Sequence, residues 1–158
     1  MLEFIPTTNA FVKKDGKWLI IRRGKEVTQF RDYLMPPGGK QEVNESIVET
    51  ALRELEEETG LVATKPRLRV LGTHNHCYKN KVYLVSIFIC EYLSGNLIDC
   101  NEGDLEWLST EELVKDEKVW PDLKIYIPHI ISNNPSILTS YLEYNENFEI
   151  IQKRIEFV

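Results

Sequence analysis

The chain is poor in cysteine, in long apolar runs and in positive charge, and each shortage removes a class of protein from consideration. Its three cysteines, Cys77, Cys90 and Cys100, are odd in number and show no Cys-x-x-Cys or Cys/His metal spacing. Neither a disulfide framework nor a zinc site is expected, and the thiols read as those of a reduced, cytoplasmic protein. The longest nearly apolar run, Val82 to Cys90, is far too short to cross a bilayer, and the opening MLEFIPTTNA has no basic segment followed by a long apolar one. Neither membrane nor export is indicated. With 19 Lys and Arg against 25 Asp and Glu, the formal charge of −6 argues against a broad surface for nucleic acid polymers, which are held by clustered basic residues. A small anion that arrives with a cation is not excluded by that charge.

Internal repeats, low-complexity stretches and linkers are lacking too, so 158 residues of near-average composition point to one folded domain over 1–158. Asn9 to Val12 and Lys17 to Arg23 are β-rich runs joined by Lys14-Asp15-Gly16, a hairpin signal. Gly24 to Tyr33 is polar and irregular, and Met35-Pro36-Pro37-Gly38-Gly39 is made of residues that interrupt regular structure. From Glu45 to Glu58 the apolar Ile47, Val48, Ala51, Leu52 and Leu55 recur at helical spacing, with Gly60 as the stop. Arg67 to Tyr78 and Lys81 to Tyr92 read as a long antiparallel pair, and Leu105 to Leu108 as a short strand. Ser109 and Glu112 stand at capping-box spacing for a helix through about Lys115. Pro121 suits the first turn of another helix that ends before Asn133, and Ser140 to Val158 reads as a strand pair turning at Asn145-Glu146-Asn147.

The Glu45–Glu58 helix carries an anomaly. Glu54, Glu57 and Glu58 share one face, because positions i, i+3 and i+4 are neighbours on a helix surface, whereas Glu49 and Glu56 point to the other side. Like charges at that spacing destabilise a helix by about 0.2 to 0.5 kcal/mol per pair, and acids in the last turn oppose the macrodipole. A divalent cation turns that repulsion into attraction, and oxygen-only donors suit Mg²⁺ or Mn²⁺.

The spacing around the acids is more specific than the acids themselves. From Gly39 five residues lead to Glu45, seven more lead to Arg53, and Arg53-Glu54-Leu55-Glu56-Glu57-Glu58-Thr59-Gly60-Leu61 follows without a gap, matching GX5EX7REUXEEXGU over residues 39–61. The chain resembles the Nudix hydrolase family through this box. The resemblance implies an α/β/α sandwich around a mixed β-sheet and Mg²⁺-dependent hydrolysis of a nucleoside diphosphate linked to another group. It places metal ligands at Glu54, Glu57 and Glu58, with the Gly38 carbonyl as a further one, and gives Glu45 and Arg53, next to Gly39, the task of bracing them. Two residues compete for the proton of the attacking water: Glu54 of the box, and Glu102, which resembles a downstream loop glutamate of MutT-type members.

The base is read outside the box. The order of Trp107, a short helix, Trp120-Pro121-Asp122, a further helix and a terminal strand pair is similar to MutT-type members that hydrolyse oxidised purine nucleoside triphosphates such as 8-oxo-dGTP. By that likeness Trp120 stacks on the base and Asp122 bonds its edge. Met35 stands where that branch has a pocket asparagine, His76 where it has a phenylalanine, and Leu123 where it has a second acid, so the same base preference does not carry over intact. Arg22, Arg23 and Lys25 are candidates for triphosphate contacts. His74 and His76 share a strand face, as a metal pair or as ordinary sheet residues. Tyr78 fits the position of a tyrosine in dinucleoside polyphosphate hydrolases, and cleavage of ADP-ribose or nucleotide sensing without turnover are further readings. The expected partner is a small nucleotide and the expected state a monomer or homodimer.

Overall fold

Strand β1 (Glu3–Lys14) buries Ala10 and Val12 on one face and Phe11 on the other, each at 1% exposure or less, so the sheet it belongs to must be covered on both sides. The computed structural model, which describes residues 1–24 and 30–158, meets that demand with helices on the two faces of a mixed sheet. After β1 come β2 (Lys17–Arg23), β3 (Leu34–Met35), β4 (Gly38–Lys40), α1 (Ile47–Thr59), β5 (Leu61–His76), β6 (Lys81–Gly95) and β7 (Gly103–Ser109). The chain ends with α2 (Thr110–Lys115), α3 (Pro121–Ile130), β8 (Leu138–Tyr144) and β9 (Ile150–Phe157). The sheet runs β3-β2-β1-β6-β5-β8-β9, with β4 added to β1 and β7 to β2. The pairs β1/β6 and β5/β8 are parallel and the others antiparallel. This is the α/β/α sandwich expected from the sequence.

Helix α1 covers Ala10, Val12, Leu19 and Phe88 with its Ala51 and Leu55. On the opposite face α2 and α3 bring Leu113, Leu123, Tyr126, Ile127 and Ile130 against Phe11, Trp18, Ile20 and Ile87. Each such aliphatic side chain contributes about 1.5–3 kcal/mol through burial.

Local chemistry explains the ends of the elements. The β1–β2 turn places Asp15 and Gly16 at φ +50° and +76°, the left-handed pair that a two-residue hairpin requires. Helix α1 starts at Ile47 rather than Glu45, because Ser46 and Glu49 form a capping box that the apolar periodicity passes over. Gly60 closes it at φ +77°, donating its N–H to the Glu56 carbonyl at 2.8 Å. The stretch read as an interruption is instead paired: Leu34–Met35 lies on β2, and Gly38–Lys40 lies on β1. There the glycines serve close approach, since a Cβ on Gly38 would stand 2.0 Å from the Thr8 carbonyl oxygen. The central pair is longer than expected, and its connection is a single 3₁₀ turn at Cys77–Lys79. Among the described residues no helix is long and apolar enough to cross a membrane.

Candidate active site

The acidic end of α1 is organised by one arginine. Arg53 donates from Nε and Nη2 to the two carboxylate oxygens of Glu45 at 2.9 and 2.8 Å, and from Nη1 to Glu54 at 3.0 Å and Glu57 at 3.2 Å. Its hydrogen bonds, with those from the Glu42 N–H and the Thr50 hydroxyl, hold the Glu45 carboxyl down at about 2. Glu54 lies under the loop: a Cβ on Gly39 would fall 2.3 Å from its carboxyl carbon. Glu56 faces solvent, as expected.

Glu58 is more enclosed than Glu57. Its Oε2 accepts the Gly38 N–H at 3.1 Å, which ties the helix to β4. Burial first, then the charges of Glu102, Glu54 and Glu57, push its carboxyl up to about 8. Glu102 is carried there by the β2–β7 pairing, which ends at Arg23 and Gly103 and places the Glu102 carbonyl on the Gly24 N–H at 2.9 Å. So the structure brings Glu54, Glu57, Glu58 and Glu102 together and leaves a concentration of negative charge that Arg53 only partly offsets. As the side chains stand, no three acid, histidine or cysteine groups among the described residues converge on one point. The donor set nevertheless fits a hard cation, because it is all oxygen and its members repel one another without one.

Beside Gly38 and Gly39 opens a cavity of about 430 Å³. Four of the residues expected to contact substrate line it: Arg23, Met35, His76 and Trp120. Its walls are aromatic. Trp120 has Phe30 at 4.4 Å between ring centroids, and His76 stacks on Tyr144 at 4.4 Å and 6°. Tyr144 and Phe148 come from the β8–β9 tail, which sequence reasoning left without a role; their aromatic spacing beside the Asn145 turn was the available signal. Arg22 does not face the cavity but pairs with Glu106 and Asp116 at 3.0 and 3.1 Å, a correction that alternation along β2 explains. Lys25 lies outside the described residues.

Asp122 is also displaced from its expected place. It is 8% exposed and does not line the cavity, because the first turn of α3 packs it behind His74. Its Oδ1 accepts the Leu123 N–H at 2.9 Å and its Oδ2 lies 3.5 Å from His74 Nδ1. Burial pushes His74 down to about 3 and Asp122 up to about 7, so both shifts favour the neutral forms. His74 Nε2 meets the Tyr126 hydroxyl at 2.7 Å, which meets Ser140 Oγ at 2.6 Å. The two histidines thus stand as strand residues of the cavity wall, with His74 Nε2 engaged by Tyr126.

Comparison with known proteins bears on the family and the fold. The NUDIX domain family model matches residues 4–130. The uncharacterized Nudix hydrolase YvcI of Bacillus subtilis is 25% identical over 94% of this chain and 92% of its own. An m7GpppN-mRNA hydrolase of Xenopus laevis, NUDT17, is 43% identical over 76% of this chain, which spans 41% of that longer protein. In fold, a MutT protein from Bacillus halodurans matches with a TM-score of 0.82 at 24% identity, over 96% of this chain and 97% of that one. Box, sheet and family model agree: the chain belongs to the NUDIX domain family and is a Nudix hydrolase.

Proposed function

We propose that the protein is a Mg²⁺-dependent pyrophosphohydrolase that cleaves nucleoside triphosphates to a nucleoside monophosphate and diphosphate. The observation that carries this reading is the contiguity of the glutamate cluster and the aromatic cavity across Gly38 and Gly39. Glu54, Glu57 and Glu58, with Glu102 and the Gly38 carbonyl, would hold Mg²⁺, with Mn²⁺ as a substitute, and the cation supplies charge screening and acidification of the attacking water. Arg53 fixes the carboxylates, the cavity walls orient the base, and either Glu54 or Glu102 takes the water's proton. Glu54 accepts from Arg53 Nη1 at 3.0 Å, whereas Glu102 is exposed. Oxidised purine substrates such as 8-oxo-dGTP form the narrower expectation from the Trp120-Pro121-Asp122 layout.

A second reading, cleavage of a nucleotide conjugate such as ADP-ribose or a dinucleoside polyphosphate, draws on Tyr78, whose hydroxyl meets His76 Nδ1 at 3.2 Å on the cavity wall. A sensor without turnover has no need to keep mutually repelling carboxylates beside the cavity. The substrate is a small nucleotide, and the three free thiols suit a cytoplasmic monomer or homodimer. The test is a product assay with triphosphates, oxidised purine triphosphates, ADP-ribose and dinucleoside polyphosphates in Mg²⁺. Monophosphate and diphosphate are expected, lost with a chelator and restored by Mg²⁺ or Mn²⁺. Faster cleavage of ADP-ribose than of any triphosphate overturns the ranking.

A further inference from the structure

In a chain of net charge −6, the charged side chains lining the cavity are all cationic among the described residues: Arg23, Lys40 and Lys79. Arg23 is held but not satisfied. Its guanidinium carbon stands 5.4 Å from the Trp120 ring centroid, Nη1 reaches only the Met35 sulfur at 3.7 Å, and Nε is buried with no hydrogen-bond partner among the described residues. A thioether is a weak acceptor, so the planar fork retains most of its donor capacity.

The carboxylate and imidazole groups around the cavity are largely occupied with one another and with tyrosine hydroxyls. Asp122 lies behind His74, whose Nε2 meets the Tyr126 hydroxyl and whose Nδ1 stands 3.5 Å from Asp122 Oδ2. His76 Nδ1 is engaged by Tyr78.

A guanidinium fork matches two adjacent acceptors. Guanine offers O6 and N7 on one edge, whereas adenine places an amino donor beside N7. Oxidation of guanine at C8 converts N7 into an N–H donor, and methylation at N7 removes the acceptor and adds positive charge. We propose that Arg23, backed by Trp120, reads the O6/N7 edge of an unmodified guanine, so that guanine nucleotides are preferred to their 8-oxo and 7-methyl forms. The proposal rests on the reading of the cavity as a nucleotide site and revises its oxidised-purine member.

Calorimetric titration of the whole chain in Mg²⁺ with GMP, 7-deaza-GMP, 8-oxo-GMP, 7-methyl-GMP and AMP tests it without turnover. A lost bidentate arginine contact to a base corresponds to about a five- to 150-fold weakening, and each analogue is expected to bind GMP's site that much more weakly. Arg23→Met is expected to bring GMP to the level of AMP. If that variant fails to fold, the analogue series on the native chain decides alone. An 8-oxo or 7-methyl form that binds as tightly as GMP, or no binding by any of the five, overturns the proposal. If the series orders as expected while no triphosphate is hydrolysed, the hydrolysis reading fails and this one stands. Hydrolysis of triphosphates without base ordering has the opposite meaning.

Discussion

Arg53 holds both carboxylate oxygens of Glu45 with one edge of its guanidinium, Nε at 2.9 Å and Nη2 at 2.8 Å, and spends its remaining nitrogen on Glu54 and Glu57. One cation thereby fixes the relative positions of three carboxylates from two sides of the helix start. Lysine keeps the charge but cannot chelate in this way. Arg53→Lys is therefore expected to lower kcat/KM by about 10- to 100-fold, as loss of a group that orients metal ligands does, with part of the loss recovered at high Mg²⁺. A native Mg²⁺ dependence in that variant would contradict the bracing role.

Glu57→Gln and Glu58→Gln are expected to abolish turnover for a reason separable from folding. Glu57 is exposed, and a glutamine at 58 keeps an amide oxygen that can accept the Gly38 N–H tying the helix to β4, so neither amide removes a contact on which the fold depends. Melting temperatures should stay level or rise, the pattern of a site kept at some cost in stability. Near-normal rates for both variants in saturating Mg²⁺ would remove the proposed metal site.

Much of this site was legible because its parts are local. Spacing alone marked α1, its acidic face and the Gly60 stop, since each is a relation within a few helical turns, and the resemblance to the Nudix box added Glu45 and Arg53. The pairing of Gly38–Lys40 with β1 was not legible, because glycine and proline argue against regular structure wherever they occur and only the partner strand reveals their use here. The parallel β1/β6 and β5/β8 pairs were hidden for the same reason: periodicity gives a strand its faces but not its neighbours. The cavity was half legible. Trp120, Met35 and His76 were named as pocket positions and Arg23 as a triphosphate contact, while Phe148 reaches the cavity from beyond residue 130, where the family match ends. Asp122 reads as an accessible acid until α3 packs it behind a histidine.

Trp120→Ala and Phe148→Ala test the aromatic walls together. Stacking of a base on an aromatic ring is worth about 1–3 kcal/mol, so each variant should raise KM by about five- to 150-fold with kcat little changed. An effect of Phe148→Ala comparable to that of Trp120→Ala would establish the tail as part of the substrate site. A KM unchanged in both variants would place the base elsewhere.

Asp122→Asn is expected to change how stability depends on pH. Burial raises the Asp122 carboxyl from 3.8 to about 7, so between those values the folded chain holds a proton that the unfolded chain has released. By linkage this group's contribution to stability is complete below about pH 4 and is lost as the pH climbs through 7, with an upper limit of about 4 kcal/mol. The groups that face it are His74, which burial keeps neutral, the Leu123 N–H, and the hydroxyls of Tyr126 and Tyr144, none of which brings a positive charge. Asparagine copies the neutral acid, so variant and native chain should melt together near about pH 4, with the variant melting higher near about pH 8. Denaturation scans at the two ends of that range check it. A native chain more stable than the variant at the alkaline end would mean that Asp122 is ionised against a charged His74, and that the wall of the cavity carries a buried ion pair.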